Sequence, residues 1–281
     1  MLLFWLSLAV GAIGSAAITL SCGLVGAWYD FYIPLLLFFG FAFACVALAF
    51  LFAFILSLFS DKKKPVDRQN RLYAFVFHTI NAYLIFMSRA KVKVIGLDKL
   101  DKSQNYLIIC NHLSRFDPMI IENRVKNKPL AFASKPGNFR IPIVGGVIHK
   151  CGYVSINREN DREALKTILH VCKMVENTGM SYGIFPEGTR NTEPQKGLLP
   201  FRAGALKIAQ RCGIPIAVFV TRNTNSIHKR FPFRSTKVEL ELLEVIDAET
   251  VKTTSTVDLA KRAKDEMELA LYGKVIDRQT E

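Results

Sequence analysis

Tyr106-Leu107-Ile108-Ile109-Cys110-Asn111-His112-Leu113-Ser114-Arg115-Phe116-Asp117-Pro118 runs from an apolar stretch straight into a polar corner. The apolar part, Tyr106 to Cys110, reads as a strand, and Asp117-Pro118 reads as a helix start with Pro118 at the first helical position. The turn between them carries an imidazole and a carboxylate five residues apart. Partners on one helix face sit three or four apart, so His112 and Asp117 meet only if the chain folds back across the turn. Histidine titrates near neutrality and can take a proton from an alcohol and return it. A carboxylate beside it can hold one ring nitrogen protonated and stabilise the imidazolium that forms. The alternative is structural: Asp117 as a helix N-cap and His112 as a strand-end histidine. On these two residues alone the structural alternative is the stronger, because a short His/Asp match has little specificity.

Outward from this corner, apolar strand-like runs alternate with helical patterns. Expected strands cover 91–95, 106–110, 130–133, 153–156, 181–185, 214–220 and 237–245, and expected helices cover 118–125, 141–149, 161–177, 202–211 and 256–271. The alternation predicts an α/β domain over residues 91–281, with a mainly parallel sheet flanked by helices. Sites in such sheets gather where strands end. Three further polar clusters fall at expected strand ends: Asn157-Arg158, Phe185-Pro186-Glu187-Gly188-Thr189-Arg190, and Lys196 through Phe201-Arg202-Ala203-Gly204. Taken singly, Arg158 reads as a solvated charge and Glu187 with Arg190 as a local salt bridge. Taken with His112 and Asp117, they describe a proton acceptor beside guanidinium groups suited to phosphate. Ser114 offers a rival chemistry as a hydrolase nucleophile, but it lacks the Gly-x-Ser-x-Gly elbow and lies two residues from His112.

The N-terminal part has another character. Met1 to Tyr29 and Phe31 to Ser60 contain no Asp, Glu, Lys or Arg, and each exceeds the roughly 20 residues that cross a hydrocarbon core. Residues 1–60 are therefore expected to form a transmembrane helical hairpin, with Gly11, Gly14 and Ala17 letting the helices approach. Lys62, Lys63, Lys64, Arg68 and Arg71 follow the second span, which predicts that both termini and the domain lie in the cytosol. Residues 61–90 read as a basic linker and an amphipathic helix at the membrane surface, built on Leu72, Phe75, Val76, Ile80, Tyr83, Leu84 and Met87. Formal net charge is +13, and every charge but Asp30 lies beyond residue 60. A basic part tethered to a bilayer predicts anionic lipid, an acidic carrier or a phosphorylated substrate as partner. Nucleic acid is not expected, because no recognition motif accompanies the charge. The six cysteines, at 22, 45, 110, 151, 172 and 212, show no disulfide or zinc spacing.

Four blocks occur in order: Asn-His-x-Ser-x-x-Asp at 111–117, the strand ending in Arg158, Phe-Pro-Glu-Gly-Thr-Arg at 185–190, and Ile214-Pro215-Ile216. Over roughly residues 75–245 the chain resembles the glycerolipid acyltransferase family, in particular its 1-acylglycerol-3-phosphate acyltransferase branch. The resemblance implies transfer of a fatty acyl group from acyl-CoA or acyl carrier protein to the hydroxyl of lysophosphatidic acid, with no metal or organic cofactor. It implies that His112 is the general base, that Asp117 orients it, and that Arg158 binds the acceptor phosphate. Glu187, Gly188, Thr189 and Arg190 would shape the acceptor site, and Lys135 falls where the family often has a lysine. Ser155-Ile156-Asn157 replaces the common Phe-Ile-Asp, Ala217 a frequent second proline, and Arg202 a usual lysine. None of these departures touches a proposed catalytic atom.

Overall fold

The computed structural model describes residues 1–62, 64–126, 128–156 and 161–276. An N-terminal pair, α1 (Leu2–Cys22) and α2 (Tyr32–Leu58), is followed by α3 (Arg71–Met87). Strands and helices then alternate: β1 (Ala90–Ile95), β2 (Leu107–Cys110), α4 (Phe116–Arg124), β3 (Leu130–Ser134), α5 (Val144–Lys150), β4 (Val154–Ser155), α6 (Asp161–Thr178) and β5 (Ser181–Ile184). The rest is α7 (Lys207–Cys212), β6 (Ile216–Arg222), α8 (Ile227–Arg230), β7 (Thr236–Ile246), α9 (Ala248–Thr253) and α10 (Thr256–Tyr272).

The strands form one sheet in the order β1-β7-β6-β2-β5-β3-β4. From β6 to β4 all neighbours are parallel, whereas β7 runs antiparallel to β6 and carries β1 parallel to itself. The mainly parallel α/β sheet read from the alternation is therefore the fold. β2 lies between β6 and β5 with all four side chains buried, which is why its sequence is apolar without alternation. A methyl group at Gly183 of β5 would lie 2.2 Å from the Phe132 ring, so only glycine lets that ring lie across the strand.

Three helix starts differ from expectation, each for a local reason. Helix α4 begins at Phe116, so Pro118 is its third residue, and Asp117 lies inside the first turn rather than capping it. The helix expected from Ile141 begins at Val144, because Pro142 holds the preceding residue extended. The helix expected over 202–211 is a 3₁₀ turn, Ala203–Leu206, continued by α7.

Helices α1 and α2 pack as a hairpin and are both long and apolar enough to cross a membrane. A methyl group at Gly14 would lie 2.8 Å from the Phe41 ring, so the helices meet closely there. Asp30, the one charge in the hairpin, accepts from the Gly26 and Ala27 backbone N–H groups at 3.1 and 2.9 Å and closes the turn. The hairpin seats on the domain at several points. Tyr73 donates to the Leu56 carbonyl at 2.8 Å, Ser60 contacts His149 at 3.3 Å, and the Phe4 ring lies 4.5 Å from that of Phe86.

Helices α3 and α4 join through polar groups, of which Asn81 and Glu122 are buried and His78 is partly exposed. Asn81 donates to the Met119 carbonyl at 3.2 Å. His78 Nδ1 lies 3.8 Å from Glu122 Oε1, and Tyr153 donates to Glu122 Oε2 at 2.9 Å. Burial pushes the Glu122 carboxyl up to about 8, against a pull downward from the Tyr153 hydrogen bond. Burial and Lys126 both push His78 down, so near neutrality the pair is a contact between uncharged groups. The folded chain keeps the Glu122 proton up to about pH 8, while an unfolded chain releases it near 4.5. Through Glu122, stability should fall as pH rises through that window, offset in its acidic part by His78, whose lowered proton affinity acts with the opposite sign. Thermal unfolding of the purified protein should show this decline, and Glu122→Gln, which carries no titrating group, should flatten it.

Candidate active site

The parallel strands deliver their C-terminal ends to one side of the sheet. β2 leads into His112, β5 into Glu187 to Arg190, β6 into Thr224, and β3 into Lys135. The end of β4 leads toward Arg158, which lies outside the described residues.

Asp117 is fully buried, at 0% exposure, and its carboxylate is surrounded by donors. Oδ2 lies 2.8 Å from His112 Nδ1 and accepts from the backbone N–H groups of Leu113 and Ser114, both at 2.7 Å. Oδ1 accepts from the Thr224 hydroxyl at 2.5 Å. Starting the helix before Asp117 is what turns its side chain back over the loop. A carboxylate only accepts, so Nδ1 carries the ring proton and Nε2 presents a lone pair. The His112 side chain is 19% exposed, and Nε2 has no hydrogen-bond partner among the described residues. The imidazole lies flat on Phe185, with ring centroids 4.1 Å apart, and Phe185 stacks on Phe132 at 5.5 Å.

The backbone of His112 is pinned as firmly as its ring. Its N–H donates to Glu187 Oε1 at 2.7 Å, while its carbonyl accepts from Asn191 N–H at 2.7 Å. Glu187 Oε2 accepts from Leu199 N–H at 3.0 Å, so this buried carboxylate ties β2, the turn after β5 and the following loop together. Among the described residues no Glu187–Arg190 salt bridge is found. Gly188, at φ 76°, makes the turn that points Thr189 and Arg190 outward. Lys135 reaches Thr189 Oγ1 at 3.4 Å, and with the exposed Arg190 these residues form a basic rim. Asn111 closes the other flank. Its amide donates to the Thr221 carbonyl at 3.0 Å and accepts from Thr221 N–H at 2.8 Å, extending the β2–β6 pairing by one side chain.

The structure thus brings His112, Asp117, Glu187, Gly188, Thr189, Arg190 and Lys135 to one corner. Ser114 belongs to the turn: its hydroxyl is buried and accepts from Phe116 N–H at 3.2 Å. Thr224, Asn191 and the clamp made by Asn111 were not legible as site residues. Thr224 meets Asp117 across 107 positions, and Asn111 meets Thr221 across 110, with no local signal for either.

Residues 91–221 match the family model described as Acyltransferase. The chain is similar to a 1-acyl-sn-glycerol-3-phosphate acyltransferase of Saccharomyces cerevisiae, 28% identical over 178 residues that cover 63% of this chain and 58% of that protein. It is also similar to a protein of that name from Haemophilus influenzae, 30% identical over 162 residues, 58% of this chain and 66% of that one. The match therefore spans less than two thirds of either relative. Among solved structures, the 1-acyl-sn-glycerophosphate (LPA) acyltransferase PlsC of Thermotoga maritima shares the fold, with a TM-score of 0.59 and 21% identity over 82% of this chain and 89% of that one.

If Glu187 holds the corner through two backbone donors, Glu187→Ala should destabilise the protein by about 1–3 kcal/mol for each donor left unpaired. Glu187→Gln keeps one acceptor and should lose less. Thermal unfolding of the two variants against wild type measures the difference.

Proposed function

We propose, from the match of residues 91–221 to the Acyltransferase family model, that the chain is a membrane-bound 1-acylglycerol-3-phosphate O-acyltransferase. It moves a fatty acyl group from an acyl thioester, coenzyme A or acyl carrier protein, to the free hydroxyl of lysophosphatidic acid and makes phosphatidic acid. The observation that carries this reading is the His112–Asp117 pair, in which a fully buried carboxylate holds Nδ1 and leaves Nε2 as a base.

In the proposed reaction Nε2 takes the acceptor hydroxyl proton as the oxygen attacks the thioester carbonyl. The tetrahedral intermediate collapses, the C–S bond breaks, and the imidazolium returns its proton to the leaving thiolate. Asp117 stabilises the imidazolium without becoming protonated. Products are the ester and a free thiol, and the balance needs no cofactor. Lys135, Thr189 and Arg190 supply cationic and hydroxyl groups for the acceptor phosphate, with Arg158 joining them by family resemblance. Glu187 and Gly188 set the shape of that rim from beneath.

The hairpin of residues 1–60 is proposed to span the bilayer, with the basic linker and helix of 61–90 at its cytosolic surface and the domain of 91–281 facing the cytosol. A single-chain lipid acceptor then reaches the corner from the leaflet.

General-base catalysis contributes about 10²- to 10⁴-fold, so His112→Ala should lose that much in kcat while still fractionating with membranes. Lys135→Ala and Arg190→Ala should raise the apparent KM for lysophosphatidic acid more than they lower kcat. Steady-state thiol release on the purified variants reads both effects; near wild-type turnover by His112→Ala would remove the mechanism.

A further inference from the structure

The loop between α8 and β7 takes no part in the site, yet it is built for contact. Phe233 is 86% exposed and Phe231 49%, with Pro232 between them. Aromatic side chains grouped on a loop tip mark an interaction surface rather than ordinary solvent-facing chain. His228, Lys229, Arg230 and Arg234 surround the tip, all exposed, and no acidic residue occurs from Ile227 to Ser235.

The tip is also prepared to leave water. Arg89 donates to the Pro232 carbonyl at 3.2 Å and the Phe233 carbonyl at 3.4 Å, so neither oxygen enters a less polar medium unpaired. The Arg234 N–H donates to the Arg230 carbonyl at 2.9 Å, which closes the loop on itself. Arg89 follows directly on α3, whose last turns expose Leu84, Phe86 and Met87. Phe86 touches Phe4 near the N-terminus of α1. The tip is therefore continuous with the end of the surface helix and with the end of α1 expected at the cytosolic interface.

We propose that Phe231 and Phe233 form a membrane contact separate from the hairpin, seated at the interfacial level of an anionic bilayer, with Lys229, Arg230 and Arg234 on lipid phosphates. This rests on the reading of α1 and α2 as membrane spans. Aromatic rings favour the headgroup boundary, and flanking cations add attraction to an anionic surface. A purely electrostatic partner such as an acidic carrier would leave the exposed rings unexplained. The contact also bears on chemistry: Thr224, which donates to Asp117, lies seven residues before Phe231, with the buried Ile227 of α8 between them. Seating the tip sets the height of the His112 corner over the lipid surface.

The test uses the full chain with Trp5→Phe and Trp28→Phe, so that Phe233→Trp introduces the sole indole. It is reconstituted in phosphatidylcholine vesicles with and without phosphatidylglycerol, and with or without brominated acyl chains. The expected emission is blue-shifted, lost mostly to brominated lipid and little to aqueous acrylamide, with the larger loss in the anionic vesicles. Water-like emission quenched by acrylamide and indifferent to brominated lipid overturns the proposal. So does a blue shift that appears only on adding an acidic acyl carrier protein, and so does equal quenching in neutral and anionic vesicles, which removes the role of the cations. The chain with its native tryptophans separates this failure from that of the hairpin. Quenching of the native indoles by brominated lipid, without quenching at position 233, sinks the tip and leaves the spans standing. If neither is quenched, both readings fall.

Discussion

Everything at the corner depends on one buried carboxylate. Asp117 sits in the interior with its charge, a position that costs several kcal/mol unless donors replace the lost water. Four donors from two parts of the chain do so: the His112 ring and two N–H groups in the turn after β2, and the Thr224 hydroxyl beyond β6. The same hydrogen bonds that make the charge tolerable fix the tautomer and direction of His112. Removing water from the carboxylate and orienting the imidazole are thus a single structural act.

The surrounding fold reads as the means of holding those donors in place. A parallel sheet puts the ends of β2, β5, β6 and β3 on one side, and side chains then continue the strand pairing into the loops. Asn111 clamps Thr221, and Glu187 clamps His112 and Leu199. Beneath the imidazole the aromatic row Phe185–Phe132 supplies a flat floor. Outside it lie the cations. The basic rim of Lys135 and Arg190 and the apolar hairpin are the features from which a site at the meeting of phosphate headgroups and acyl chains is proposed.

Much of this could be read from residues alone. The apolar run of 106–110, the switching between strand and helix periods, and the uncharged 1–60 segment set the architecture, because burial and helix formation act on local composition. His112 and Asp117 stood out as a pair at once, and outweighed the structural alternative only beside the three polar clusters at other expected strand ends. Helix starts were less legible. Pro118 marks the first turn of α4 but not its first residue, and that offset decides that Asp117 faces the loop. Glu187 reads in sequence as a partner for Arg190, yet its carboxylate serves backbone donors. Thr224 and Asn191 had no signal, since their partners are distant in sequence and adjacent only in the folded sheet.

The measurement that bears most directly on the account is the joint quantification of free thiol and phosphatidic acid when the membrane-extracted protein meets lysophosphatidic acid with each acyl thioester in turn. Acyl transfer through a His112 base predicts one thiol per phosphatidic acid with at least one donor, and no thiol above background when the acceptor is withheld. Thiol released at full rate without acceptor, with free fatty acid as the product, would contradict it.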